Sequence, residues 1–231
     1  DVYRQRVVQM GEQPEYVYNV GAIGIDNVRN LDLLSRDDLE RDLGISFMPY
    51  NYQVTFHPET LSPISVEKQF DTLLKVIKSV DNSLFIFTKA NADTNGRVIN
   101  KMIDEFVLFN PQKAIAFSSL GTLRFLSLLN ICDAIIGNSS SGIIEAPFLR
   151  IATINIGDRQ KGRIQAPSVI NCSVDELEIH QAIRLTMQDE FKSRLDNIDN
   201  PYGVGDTTSQ IMKVLENVDF KRFGSKQFFN F

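Results

Sequence analysis

The 231-residue chain has little of several things that would point to a function directly. It has two cysteines, Cys132 and Cys172, too few and too far apart for a disulfide framework or a zinc pattern, and Cys132 sits in an apolar run. Both are expected to be reduced thiols in a cytoplasmic protein. Positive charge is not in excess: 24 Lys and Arg stand against 29 Asp and Glu, a formal net charge of -5. No broad basic field exists to neutralise phosphates, so nucleic acid is not the expected partner, and any anion must be held locally. No stretch approaches the roughly 20 apolar residues that span a bilayer, so no membrane partner is expected. The start, Asp1-Val2-Tyr3-Arg4, has neither a signal-peptide apolar region nor an initiating methionine, and it reads as the beginning of a piece of a longer protein. No His, Cys or carboxylate cluster has ligand spacing, so neither a metal nor a cofactor is expected.

What is present is a 43% hydrophobic composition, enough for one large or two small domains with a proper core. Short β-rich runs read as strands at Tyr16–Val20, Tyr52–Phe56, Leu84–Thr88, Ala114–Phe117, Ala134–Ile136, Thr153–Ile156 and Val169–Ile170. Segments of helical period lie between them: Ser65–Val80, Val98–Phe109 and Thr122–Asn130. This βαβα alternation implies an α/β fold, a Rossmann-like parallel sheet with helices on both faces. After Cys172 the strands stop, and helices are expected over Val174–Met187, Asp189–Ile198 and Thr207–Val218. Five phenylalanines fall within Phe220–Phe231, a density that predicts packing on a surface.

Open parallel sheets bind ligands outside the carboxyl ends of their strands, which ranks the polar segments. Gly137-Asn138-Ser139-Ser140-Ser141-Gly142 ends one strand and opens a helix near Ser141. Backbone N–H groups, serine hydroxyls and the positive end of a helix dipole converge there, as a phosphate requires. Gly137 and Gly142 would permit close backbone approach. Plain helix capping is the simpler alternative, although three serines between two glycines exceed what a cap needs. Glu145, one turn later, can face the same cleft and accept hydrogen bonds from a ribose diol; alone it is equally an acidic residue favoured by the dipole.

At the next strand end, Asn155-Ile156-Gly157-Asp158-Arg159-Gln160-Lys161-Gly162-Arg163 places three cations within five residues. It reads as a diphosphate clamp or as a solvated charged loop. Thr55-Phe56-His57-Pro58 puts one of the two histidines at a strand end, where it can serve as acid, base or phosphate donor. The end Thr88-Lys89-Ala90-Asn91-Ala92-Asp93 supplies polar groups, Asn91 and Asp93 among them, without a specific signature. Phe125 offers a ring for base stacking, or simply a core aromatic.

Taken together, Thr55–Pro58, Gly137–Gly142 with Glu145, Asn155–Arg163 and Asn200-Pro201-Tyr202-Gly203 resemble the hydrolysing UDP-N-acetylglucosamine 2-epimerases, most closely the bacterial branch serving sialic acid and polysialic capsule biosynthesis. The resemblance covers nearly the whole chain. It implies the carboxyl-terminal half of a glycosyltransferase-B-type two-domain enzyme that takes a nucleotide sugar, UDP-N-acetylglucosamine, and releases N-acetylmannosamine and UDP. It also implies residues 1–30 as the inter-domain connection and entry strand, 31–199 as the UDP-binding domain, and 200–231 as a helix and aromatic tail packing toward a missing amino-terminal domain. A homodimer is the implied assembly. By likeness, Ser139 and Ser140 would hold the diphosphate, Arg159 a phosphate, Glu145 the ribose, and Phe125 with the Leu120 backbone the uracil, with Asn138 and Gly142 as further UDP-binding candidates. His57 matches a histidine implicated in catalysis, and Asn91 and Asp93 are sugar-proximal candidates. A UDP-N,N'-diacetylbacillosamine 2-epimerase, the donor domain of a glycosyltransferase, and a non-catalytic nucleotide-binding module remain alternatives.

Overall fold

The computed structural model describes residues 1–59, 62–91, 95–220 and 227–229. Apolar runs too short for a buried helix and flanked by polar turns form strands when both faces can be covered. Six do: β1 (Tyr50–Thr55), β2 (Ser83–Thr88), β3 (Ala114–Phe117), β4 (Ala134–Gly137), β5 (Ala152–Ile156) and β6 (Val169–Cys172). They form one sheet in the order β3-β2-β1-β4-β5-β6, and every neighbouring pair is parallel. The described helices are α1 (Val2–Gln9), α2 (Ile23–Asn30), α3 (Arg36–Leu43), α4 (Val66–Ser79), α5 (Gly96–Phe109), α6 (Gly121–Ile131), α7 (Ser141–Phe148), α8 (Glu176–Thr186), α9 (Asp189–Leu195) and α10 (Thr207–Asn217).

The chain divides into two compact units, residues 30–201 and residues 1–29 with 202–231. The first contains the whole sheet. Because successive side chains of a strand point to opposite faces, Tyr52, Val54, Phe85 and Phe87 enter one core with Phe70 and Ile77 of α4, Ile99 of α5 and Ile183 of α8. The Tyr52 and Phe85 rings stack at 5.1 Å, and Phe70 meets Phe87 edge-on at 6.4 Å. On the other face Leu84 and Ile86 pack with Leu39 of α3 and Leu128 of α6, while Ile135 packs with Leu129 and Ala146. Helices thus cover both faces. α4 begins on a Ser65 cap whose hydroxyl oxygen accepts from the Lys68 N–H, and its apolar stripe places Phe70, Leu73, Leu74 and Ile77 inward.

The second unit holds α1, the residues of α2 up to Arg29, and α10. The buried Asp26 carboxylate of α2 caps α10, accepting from the N–H of Thr207 at 3.0 Å and of Thr208 at 2.6 Å. Those bonds, the ones from Thr208 foremost, hold its acid below the ordinary carboxylate range. The Tyr3 and Tyr202 rings stack at 6.1 Å. The strand expected at Tyr16–Val20 does not form. Pro14 opens a 3₁₀ turn that runs to Tyr16, and the residues after it stay irregular, with Tyr16 and Tyr18 each about half exposed. An alternating pattern gives a strand only where one face is buried against something, and neither tyrosine is. Of the aromatic tail, residues 221–226, 230 and 231 lie outside the described residues; Phe229 donates its N–H to the Gly11 carbonyl at 2.9 Å.

Candidate functional site

The strand order runs one way from β1 to β3 and the other way from β4 to β6, so the sheet has its switch point between β1 and β4. The two strands lie side by side to their last residues, with Thr55 opposite Gly137. Gly137 has a φ of +133°, and a Cβ there would stand 2.1 Å from the Thr55 carbonyl oxygen. Only glycine lets β4 end so close to β1. The close backbone approach expected at Gly137 is, within the fold, to the neighbouring strand.

Asn138 follows directly and is 1% exposed. Its Oδ1 accepts from the His57 N–H at 2.8 Å, and its Nδ2 donates to the His57 carbonyl at 2.9 Å. Its own N–H reaches the Thr55 carbonyl at 3.2 Å. The Asn138 carbonyl in turn accepts from Arg159 Nη1 at 3.0 Å and from Gln160 Nε2 at 2.8 Å. The ends of β1, β4 and β5 are therefore tied at one residue. The Asn138 side-chain amide, a UDP-binding candidate by likeness, is engaged here with the His57 backbone through both its oxygen and its nitrogen. Gln160, 2% exposed, carried no sequence signal among its charged neighbours.

Ser139 and Ser140 form the turn into α7 and are half-buried. Ser139 Oγ accepts from the Ser141 N–H at 3.3 Å, while the Ser140 side chain makes no capping bond. Gly142 is buried, and a Cβ on it would meet Thr153 Cγ2 at 2.5 Å. The Thr153 hydroxyl donates to the Gly142 carbonyl at 2.6 Å, so this glycine lets α7 pack closely on β5. Glu145 lies one turn along. Burial pushes its acid up to about 6, against the opposing pull of its own N–H and the Ser141 hydroxyl. Its Oε2 is buried and has no hydrogen-bond partner. A buried carboxylate oxygen with no partner at a strand-end turn is poised to receive donors from outside.

The cationic loop after β5 does not act as one cluster. Arg159 is exposed and anchored by one guanidinium nitrogen on Asn138, which leaves its other donors for a ligand. Lys161 pairs with Asp158 at 3.0 Å, and with Arg163 it lines a separate groove of about 850 Å³ at the ends of β5 and β6. His57 sits at the β1 end with its Nδ1 3.5 Å from the Asn91 N–H, which brings these two residues together. Asp93 lies outside the described residues. At the β3 end, the Leu120 side chain is buried, and the half-buried Phe125 ring packs against the cores on that face. Asn200 donates to the Ile144 carbonyl at 2.8 Å, pinning the Asn-Pro turn to α7.

A parallel sheet of this order, wrapped by helices and lined at its switch point with polar groups, is a Rossmann-like α/β fold. The fold is shared with the UDP-N-acetylglucosamine 2-epimerase of Neisseria meningitidis solved with UDP-N-acetylglucosamine (TM-score 0.68, 16% identity, 94% of this chain and 59% of that one). The Methanocaldococcus jannaschii enzyme solved with UDP-N-acetylglucosamine and UDP is equally similar (TM-score 0.68, 17% identity, 93% and 59%). The family model described as UDP-N-acetylglucosamine 2-epimerase matches residues 1–216, and the chain belongs to that family. It is 39% identical to the hydrolysing GDP/UDP-N,N'-diacetylbacillosamine 2-epimerase of Campylobacter jejuni, over 99% of this chain and 59% of that protein. It is 37% identical to the polysialic acid biosynthesis protein P7 of Escherichia coli, over 96% and 58%. The chain thus spans a little under three-fifths of the relatives it matches.

Proposed function

We propose that this chain is the nucleotide-binding half of a hydrolysing 2-epimerase that converts UDP-N-acetylglucosamine to N-acetylmannosamine and UDP. The observation that carries the reading is the orphaned, buried Oε2 of Glu145 beside the serine turn at the switch point. A ribose diol supplies hydroxyl donors to such an oxygen. The diphosphate lies on the Ser139 and Ser140 turn at the start of α7, where N–H groups and the helix dipole favour negative charge. Arg159 adds the charge-assisted donors. Uracil rests by the Leu120 backbone and Phe125.

In the reaction proposed, loss of the C2 proton and departure of UDP by anti-elimination leave a 2-acetamidoglucal, which then adds water. This half stabilises the negative charge that grows on the leaving diphosphate, a form of electrostatic catalysis. His57, at the adjoining strand end, is the candidate to hold or move a proton there. The base at C2 comes from outside this sequence, so the chain alone binds UDP without turning over. A second substrate reading rests on the 39% identity to the diacetylbacillosamine enzyme. Incubating the protein that carries this chain with each nucleotide sugar and no acceptor separates the two: the true substrate yields free 2-epimerised sugar and the nucleoside diphosphate. A glycoside formed only when an acceptor is added would replace the epimerase reading with a glycosyl transfer.

A further inference from the structure

The ladder between β1 and β4 ends at Thr55 and Gly137, yet His57 lies two residues beyond it on β1's path. The side chain of Asn138 continues the pairing by other means. A primary amide presents one acceptor and two donors in the geometry of a peptide group, and Asn138 uses Oδ1 and Nδ2 on the N–H and C=O of the same residue, His57, at 2.8 and 2.9 Å. The backbone of His57 is thereby held as a third strand residue would hold it. The same asparagine's carbonyl holds Arg159 and Gln160 at 3.0 and 2.8 Å. With 1% exposure, Asn138 has little side-chain surface left for a ligand.

We infer that Asn138 is a positioning residue, which fixes the main chain of His57 against the Arg159 anchor and does not itself bind the nucleotide. No other side chain has this pattern at this length. Aspartate keeps the acceptor but sets a negative charge against the His57 carbonyl, serine is too short to span both groups, and glutamine is one methylene too long for a buried slot. Loss of the amide leaves the Asn138 carbonyl in place, so Arg159 keeps its anchor while the His57 main chain loses its two-point bond to Asn138. The inference rests on the proposed function for its kinetic test and stands apart from it in a spectroscopic one.

In the protein that carries this chain in full, Asn138→Asp is expected to lower kcat at least tenfold and to change the UDP dissociation constant by less than about threefold. Combined with His57→Gln, it should cost no more than the worse single change, because both act through one group. A UDP affinity that falls in step with kcat, or losses that multiply in the double variant, would overturn the inference. The spectroscopic test needs no activity. In ¹⁵N-imidazole spectra, Asn138→Asp should shift the His57 ring resonances while those of His180 stay put. Unmoved His57 resonances would overturn it as well. Asn138→Ser, which removes the two-point bond without adding charge, is read the same way should the aspartate variant not fold. Absence of sugar release by the unmodified protein would count against the function alone, with the imidazole spectra still deciding the role of Asn138.

Discussion

Replacing Glu145 with glutamine separates what the carboxylate does for the fold from what it does for the ligand. Burial raises its acid from 4.5 to about 6. A difference of about 1.5 in pKa corresponds to about 2 kcal/mol between the ionised and neutral forms. The sign follows from the folded value lying above the unfolded one. The folded state suffers no cost below about pH 4.5, accumulates it as the pH rises, and bears it in full above about pH 6. Glu145→Gln is neutral at every pH and of nearly the same size. At pH 8 it should stabilise the chain by up to about 2 kcal/mol, roughly 4–8 °C in Tm for a chain of this size, and at pH 4.5 it should give no gain. It also removes the acceptor proposed for the ribose. A hydrogen bond to a charged group contributes about 1.5–3 kcal/mol, so UDP affinity should drop roughly 10- to 100-fold. Differential scanning fluorimetry at both pH values, with and without UDP, reads both effects. A variant less stable at pH 8 would mean that the carboxylate is satisfied within the fold, and unchanged UDP affinity would remove it from the ribose.

Further outcomes follow from the same geometry. Since the ionised form of Glu145 is the acceptor, UDP affinity should rise as the pH increases through about 6, with proton release on binding near that pH; calorimetry in buffers of different ionisation enthalpy reads this, and proton uptake would contradict it. Arg159→Ala, at an exposed position, should weaken UDP binding at least tenfold while leaving Tm within about a degree, and an equal affinity would remove the anchor from the site. Gly142→Ala should destabilise the chain by about 1–3 kcal/mol in thermal or urea unfolding. The methyl meets Thr153 Cγ2, and that side chain is pinned by its own bond to the Gly142 carbonyl; a neutral effect would show that α7 can lift off β5.

The parallel sheet was legible because its strands are buried on both faces and therefore read as continuous apolar runs; Ala114–Phe117 is strand β3 residue for residue. Strand order was not, because single-sequence pattern carries no pairing information, and it took the structure to show that His57 and Ser139 flank the switch point. α1, α2 and α3 went unread: each is a helix of eight residues, and much of their surface is polar and exposed. At the site, residue type did not show which groups meet within the fold. Gly137 and Gly142 allow close backbone approach, and the close approaches the structure shows are to Thr55 and Thr153. The bond between the Asn138 side chain and the end of another strand could not be read from sequence. Lys161 and Arg163 shared a loop with Arg159 but line a different groove, a separation only the turn geometry decides.

The central claim is that a uridine diphosphate, not merely a uridine, is held at the ends of β1, β4 and β5. Titrating the protein that carries this chain with UDP and with uridine, in parallel by calorimetry, tests it most directly. One saturable UDP site per chain is expected, with uridine bound at least about a hundredfold more weakly because the serine turn and Arg159 act on the diphosphate. Equal affinities for the two, or no UDP binding, would contradict it.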